Sequence, residues 1–235
     1  MSDFDLKLQY DDTFFRTQQD GSLRSAIQVL PLVFDLLHPQ SVCDFGCGVG
    51  PWVAAAKILG ATDVLGIDGP HVDPATLKID PSEFLVHDFA SPLTLPRTFD
   101  LAMSLEVIEH FEDRFSDAFL DSLTRAAPFI LFSAAVPGQG GTHHVNERWP
   151  SYWLRKFEAR NYYAFDCVRP AVWHNLKVEW WYAQNTFLLA SASSVRRLEK
   201  VAHTRVCPAS PMLNVVHPNK ISGRPGIDYE LNKSA

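Results

Sequence analysis

A short apolar run, Ser41-Val42-Cys43, passes into an acidic residue and three alternating glycines, Asp44-Phe45-Gly46-Cys47-Gly48-Val49-Gly50. Glycine lacks a Cβ and tolerates positive φ, so such a loop lets the backbone pass close to a ligand. The next stretch, Trp52 to Leu59, reads as a helix whose free N-terminal N–H groups would face that ligand. Strand, glycine turn and helix in this order predict an α/β unit that holds a nucleotide-like cofactor.

The alternation continues. Strand-like runs fall at Ser41–Phe45, Asp63–Asp68, Glu83–His87, Phe99–Ser104 and Phe129–Ala134, with helical stretches at Leu105–Phe111 and Arg114–Ala126. Continuous apolar strands separated by helices predict a parallel sheet covered on both faces. After Val136 the pattern changes. The flexible loop Pro137-Gly138-Gln139-Gly140-Gly141 precedes a helix at Ser151–Ala159 and a strand at Tyr162–Val168. A long strand, Val178–Ala190, follows a loop over Arg169–Lys177. Two strands this close, with no helix between them, predict an antiparallel hairpin at the sheet edge. Upstream, Ser22 reads as the cap of a helix from about Leu23 to Leu37, with Ile27, Leu30, Val33, Phe34 and Leu37 at helical spacing and Pro31 as a bend or break. Residues 193–203 read as helical, and the segment from Cys207 as an irregular tail. The expected organisation is an N-terminal helical cap over 1–40, a central domain over 41–192, and a helix and tail over 193–235.

With 46% hydrophobic and 20% charged residues, the composition is that of an ordinary globular chain. The net charge of −6 argues against a general nucleic-acid surface. Cys43, Cys47, Cys167 and Cys207 have neither zinc-finger nor redox-motif spacing and read as reduced thiols of a cytoplasmic protein. Met1 to Tyr10 has no apolar core and does not read as a secretion signal. The longest apolar stretch, Pro128 to Val136, is too short to span a bilayer.

The dinucleotide fingerprint Gly-x-Gly-x-x-Gly fails, because its third glycine falls on Pro51 or Val53, and no Gly-Lys-Ser/Thr marks a triphosphate loop. Pro51 instead suits the first turn of a helix. The glycine loop resembles motif I of the class I S-adenosylmethionine-dependent methyltransferases, Asp/Glu-x-Gly-x-Gly-x-Gly. The resemblance extends over roughly residues 41–190. Leu65-Gly66-Ile67-Asp68-Gly69 is similar to the second motif, His87-Asp88-Phe89 to the third, and the stretch Phe99 to His110 to the fourth. The resemblance implies a doubly wound, Rossmann-like fold: a mostly parallel seven-stranded sheet with an antiparallel edge hairpin and helices on both faces. It also implies S-adenosylmethionine as co-substrate. Asp44, Gly46, Cys47, Gly48 and Gly50 would cradle it, Asp68 and Gly69 would meet its ribose, Asp88 and Phe89 its adenine, and Ser104 and Glu106 its methionine end. A simple capping role remains open for Asp44 and Asp88.

Glu106, Glu109 and His110 stand at i, i+3, i+4, so on a helix they share one face. Three roles are open to that face: contact with the donor plus local hydrogen bonds, general-base activation of an acceptor hydroxyl, or binding of a divalent metal. No metal is assigned. Glu-x-x-Glu-His also resembles the metal-binding helix of small-RNA 3′-end 2′-O-methyltransferases, and the same segment of ubiquinone-pathway O-methyltransferases. The loop Gly140 to Pro150 carries His143 and His144 and reads as an acceptor lid that supplies a base. Adjacent histidines on an extended segment point opposite ways, so one of the two would face the site. The small-RNA enzymes carry their further histidine in a longer insertion that this chain lacks. Trp180-Trp181-Tyr182 would alternate faces on a strand and line part of an acceptor pocket, and Gln184-Asn185 are polar where apolar residues are expected. The expected function is O-methylation of a small molecule, a sugar or secondary metabolite, with Glu109, His110, His143 and His144 as catalytic residues. The alternatives are a metal-dependent RNA ribose 2′-O-methyltransferase and a non-catalytic donor-binding scaffold. Partners would be a small-molecule acceptor and, optionally, a second copy in a homodimer, with neither membrane nor nucleic acid.

Overall fold

The computed structural model describes residues 12–222. The expectations for the first eleven residues and for the tail beyond 222 lie outside them. A seven-stranded sheet runs through the molecule: β1 (Ser41–Phe45), β2 (Asp63–Asp68), β3 (Phe84–Val86), β4 (Leu101–Leu105), β5 (Phe129–Ser133), β6 (Tyr162–Phe165) and β7 (Phe187–Ser191). Their order across the sheet is β3-β2-β1-β4-β5-β7-β6. β1 pairs in parallel with both β2 and β4, in the registers Cys43↔Leu65 and Cys43↔Ala102. β7 runs antiparallel to β5 on one side and to β6 on the other. The expected fold class is the observed one.

The helices are α1 (Asp12–Leu37), α2 (Pro51–Ile58), α3 (Asp113–Ala126), α4 (Pro150–Glu158), α5 (Arg169–Val172), α6 (Trp180–Asn185) and α7 (Pro218–Ser222). Alternation along the buried strands sends side chains to two cores. Val42, Leu101, Met103, Leu131 and Leu188 meet α1 and α2 through Val29, Val33, Trp52 and Val53. Cys43, Phe45, Ala102, Ile130 and Leu189 meet α3 and α4 through Phe119, Leu123, Trp153 and Phe157. In α1, Ala26, Val29, Leu30, Val33 and Leu37 are buried at helical spacing. Ile27, expected with them, is 43% exposed.

Several elements differ from the sequence expectation. α1 extends well upstream, so Ser22 lies inside the helix rather than at its cap, and Pro31 lies within it without ending it. No helix spans Leu105–Phe111. β4 instead continues to Leu105, Glu106 turns with φ +57°, and a 3₁₀ turn covers Ile108–His110. Glu106, Glu109 and His110 therefore do not share a helical face. The long strand expected over Val178–Ala190 is divided into α6 and β7, and two short helices, α5 and α6, separate β6 from β7. Aromatic and β-branched residues favour strands locally, but this preference yields to tertiary packing. Here Tyr182 packs edge-on against Trp52, with ring centroids 5.1 Å apart, and its hydroxyl pairs with Ser22 Oγ at 3.0 Å.

α1 is tied to the segment around α6 by further bonds. The Arg24 guanidinium pairs with Glu179, the Glu179 N–H donates to Ser25 Oγ at 3.0 Å, and Asn175 Nδ2 donates to Gln28 Oε1 at 3.1 Å. Among the described residues, no helix is long and apolar enough to cross a membrane.

The turn after β1 is set by close approach. Gly46 has φ +80°, and a Cβ there would stand 2.4 Å from Val107 Cγ1. Gly46→Ala combines a left-handed backbone with overpacking, so we expect a loss of about 2–4 kcal/mol in urea unfolding.

Candidate active site

The carboxyl ends of β1, β2, β4 and β5 meet at one edge of the sheet, the place where open α/β sheets bind ligands. A cleft of about 310 Å³ opens there. One wall is the glycine loop, through Gly46, Cys47 and Gly48, with Trp52 at the start of α2. The opposite wall combines Glu106 and His110 with the loop after β5, through Gln139 and His144. Trp180, Trp181 and Tyr182 close the third side, and Ser22 reaches in from α1.

The glycine loop is fixed from below by Asp68. One carboxylate oxygen accepts the Gly48 N–H at 2.6 Å, and the other accepts the Gly69 N–H at 2.7 Å with His71 Nε2 at 3.4 Å. Gly48 has φ +55°, and no atom stands within 4 Å of where its Cβ would be, so the backbone there is open to the cleft. Asp44 is buried in β1, one residue before its end. Gly50 caps α2 with φ +85°.

The remaining positions expected to touch the cofactor are placed differently. Asp88 is exposed, and its carboxylate accepts the Ala90 N–H at 2.9 Å in a local turn beyond β3. Phe89 is buried in the core, stacked on Phe45 with centroids 5.8 Å apart. The Ser104 hydroxyl is fully buried in β4 and has no hydrogen-bond partner. None of these three lines the cleft, and neither do Asp44, Gly50, Asp68 and Gly69, whereas Gly46, Cys47, Gly48 and Glu106 do.

Across the cleft from the glycine loop, the carbonyl of Glu109 accepts the N–H groups of Val145 and Asn146 at 2.9 and 3.1 Å, which joins the turn after β4 to the loop after β5. This brings the His110 and His144 rings 4.9 Å apart and perpendicular. His143 is exposed, with φ +58°, so only His144 of the pair faces the cleft. His144 Nδ1 stands 3.0 Å from Glu147 Oε1, and the Glu147 carboxylate also accepts the N–H groups of Gly138 and Gly140 at 2.6 and 2.7 Å. Glu106 accepts Gln139 Nε2 at 2.6 Å and Asn185 Nδ2 at 3.1 Å. Asn185 thus reaches the site, as its polar character within an apolar stretch suggested. Ser22 was read only as a cap, and nothing local marks it as a cleft residue, because its partner Tyr182 is 160 positions away.

A family model described as a methyltransferase domain matches residues 15–185. The chain belongs to the methyltransferase domain family. The order of motifs and the fold agree with that membership. Among solved structures, the fold is similar to that of the mitomycin 7-O-methyltransferase, with a TM-score of 0.55, 16% identity, and 82% of this chain and 61% of that one covered. It is also similar to human N-acetylserotonin methyltransferase in complex with S-adenosylmethionine, with a TM-score of 0.54, 16% identity, and 81% and 56% covered. The plantazolicin methyltransferase gives a TM-score of 0.56 at 12% identity, with 80% and 98% covered. A curated relative, the ribosomal RNA large subunit methyltransferase E of Caulobacter sp. (strain K31), is 37% identical over 60 residues, 26% of this chain and 25% of its own. The chain therefore spans about a quarter of that relative, and 56% of the human enzyme.

In this methyltransferase domain the site concentrates acids in a dry place. Burial, aided by the nearby Asp68 charge, pushes Asp44 up to about 7. Burial likewise raises Glu106 to about 7, against the pull of its Asn185, Ser133 and Gln139 partners. Glu109 rises well above the carboxylate range, through burial and then the neighbouring Glu106 charge. Burial and the facing His144 push His110 down to about 4, so its ring is neutral at pH 7.

Asp44 gives a pH-dependent test. Its folded value lies above its unfolded one, so the cost of ionising it is absent near pH 4 and fully present above about pH 7. The wild-type domain therefore loses this increment of stability as pH rises between those limits. Asp44→Asn removes the cost. Its thermal midpoint is expected to match wild type near pH 4 and to exceed it by about 5 °C near pH 8, measured by scanning calorimetry.

Proposed function

We propose that this methyltransferase domain transfers a methyl group from S-adenosylmethionine to a hydroxyl of a small molecule. One observation supports the reading most directly. A single cleft has the glycine loop on one wall, and the His110 and His144 cluster with the tryptophan pair on the others. Donor and acceptor would meet between them.

On the donor side, Gly46, Cys47 and Gly48 offer a backbone cradle, and Asp68 and Gly69 would meet the ribose hydroxyls from behind that loop. Asp44 and Glu106 supply negative charge near a donor that is cationic at its sulfonium and amino groups. A cation beside a buried carboxyl favours the ionised form, so donor binding would draw both acids into charge. The reaction is in-line displacement: the acceptor oxygen forms a bond to the methyl carbon, the carbon–sulfur bond breaks, and its electron pair stays on a neutral sulfur. The sulfonium is already a good leaving group, so the protein's work is positioning and loss of the acceptor proton. The cluster of Glu109, His110 and His144 would activate that hydroxyl, with Glu147 orienting His144. Trp180 and Trp181 offer ring faces on which a flat acceptor or the apolar face of a sugar would stack.

Two structural neighbours are named for small-molecule substrates, mitomycin and N-acetylserotonin. The relative that acts on ribosomal RNA shares a quarter of the chain, and the net charge of −6 is unfavourable for following a phosphate backbone.

Asp68→Ala is expected to weaken S-adenosylhomocysteine binding at least tenfold by titration calorimetry, through loss of both the ribose contact and the support of Gly48. Unchanged affinity rules out the ribose assignment. His144→Ala is expected to keep that affinity and to cut methyl transfer to a panel of phenols and sugars by about a hundredfold. Full turnover in this variant would remove His144 from the mechanism.

A further inference from the structure

The 3₁₀ turn after β4 and the loop after β5 bring three ligand-type groups together. Glu109, His110 and His144 each offer one donor atom, and these atoms all lie within 4.8 Å of one another. Glu109 and His110 are neighbours in the chain, His144 comes from the later loop, and the two backbone bonds into the Glu109 carbonyl hold the two segments in register.

Glu109 is the decisive member. It is fully buried, and neither of its carboxyl oxygens meets a donor in hydrogen-bonding geometry. A buried carboxyl left in this state is costly unless a proton or a cation satisfies it. The two imidazoles beside it line the cleft. Each ring is turned by a second partner: His144 Nδ1 by the Glu147 carboxylate, and His110 by the backbone of His143. Ligating histidines are held in this way, one nitrogen on a carboxylate or carbonyl and the other on the ion. Glu147 is itself fixed by Gly138 and Gly140, so the orientation of His144 is built into the loop. Glu106 lies against the Glu109 carboxyl but is not one of the three, because its own oxygens accept from the amides of Gln139 and Asn185. The cluster therefore differs from the Glu106, Glu109 and His110 face that the spacing alone suggested.

We propose that Glu109, His110 and His144 bind one divalent first-row transition ion, with its open positions toward the cleft, and that an acceptor hydroxyl is its further ligand. Two imidazole nitrogens and one carboxylate oxygen suit ions such as Mn²⁺ or Zn²⁺ better than Ca²⁺. Three protein ligands leave room for an oxygen of the acceptor. The inference deepens the methyl-transfer reading and depends on it only for that acceptor. The ion draws electron density from the bound hydroxyl, whose O–H bond breaks and whose proton leaves to water. The oxygen pair then takes the methyl carbon, and the carbon–sulfur pair returns to sulfur.

The test titrates Mn²⁺ alone into the full chain after EDTA treatment and dialysis, following the loss of the free-ion electron paramagnetic resonance signal. One site per chain is expected, with Zn²⁺ competing. Glu109→Gln, His110→Ala and His144→Ala should each weaken Mn²⁺ binding at least tenfold, and Glu147→Gln should weaken it less. His203→Ala, on the exposed far segment, should leave it unchanged. Circular dichroism and S-adenosylhomocysteine affinity confirm that each variant is folded. If the wild-type chain binds S-adenosylhomocysteine but neither ion at millimolar concentration, or if folded variants bind Mn²⁺ as wild type does, the cation site is wrong and the donor reading stands. If the wild-type chain binds the ion but not S-adenosylhomocysteine, the methyl-transfer reading fails and the cation site stands.

Discussion

Everything in the site depends on the parallel pairing of β1 with two neighbours that run the same way. β1 is followed by a crossover to β2 on one side, and β4 lies on the other, so the chain leaves the centre of the sheet in both directions. The ends of the central strands must then splay apart, and the crevice between them is where the glycine loop turns. Asp44, Asp68 and Glu106 arrive there because each sits at or next to the end of its strand. Side-chain chemistry is thus sorted by register: apolar residues fill the pleats, Asp44 and Asp68 lie buried behind the glycine loop, and Glu106 reaches the cleft.

The same arrangement explains why the site is electrostatically tense. Three acids, Asp44, Glu106 and Glu109, lie at the edge of two hydrocarbon cores, where water is scarce. Each rises above the ordinary carboxylate range mainly through burial. Such groups are expensive to keep ionised without a positive partner. They are therefore primed for cationic ligands, whether the sulfonium of a donor or a metal ion, and His110 is held neutral beside them.

Much of this was legible in the chain. β1 and β2 begin and end at the residues the apolar runs predicted, because buried parallel strands write themselves as uninterrupted hydrophobic stretches bounded by polar ends. The glycine spacing placed the turn after β1 for a similar reason: only a few residue types tolerate positive φ. The opposite wall of the cleft was harder. Glu106 at φ +57° breaks what looks like a helix, and no local rule forces a glutamate into that conformation. Its two amide partners come from residues 139 and 185, so the strain is stabilised by distant contacts. α6 was misread for a related reason: Trp180-Trp181-Tyr182 has the composition of a strand, and only packing of Tyr182 on Trp52 and Ser22 turns it into a helix. Asp88 and Phe89 matched a motif in letters, yet one caps a turn and the other fills the core.

The bond between Ser22 and Tyr182 has a consequence for how the molecule comes into being. It spans 160 residues, and the contacts of Arg24, Ser25 and Gln28 with residues 175–179 span nearly as many. Contacts this remote must be reached by closing very long loops, which is an entropic cost met only when most of the chain is already in place. The glycine loop, built from neighbours in sequence, is available early in synthesis. The aromatic wall exists only after nearly the whole domain has been made. The two walls of the cleft thus have different birthdays, and on the proposed reading a partly finished chain would hold a place for the methyl group but none for its recipient.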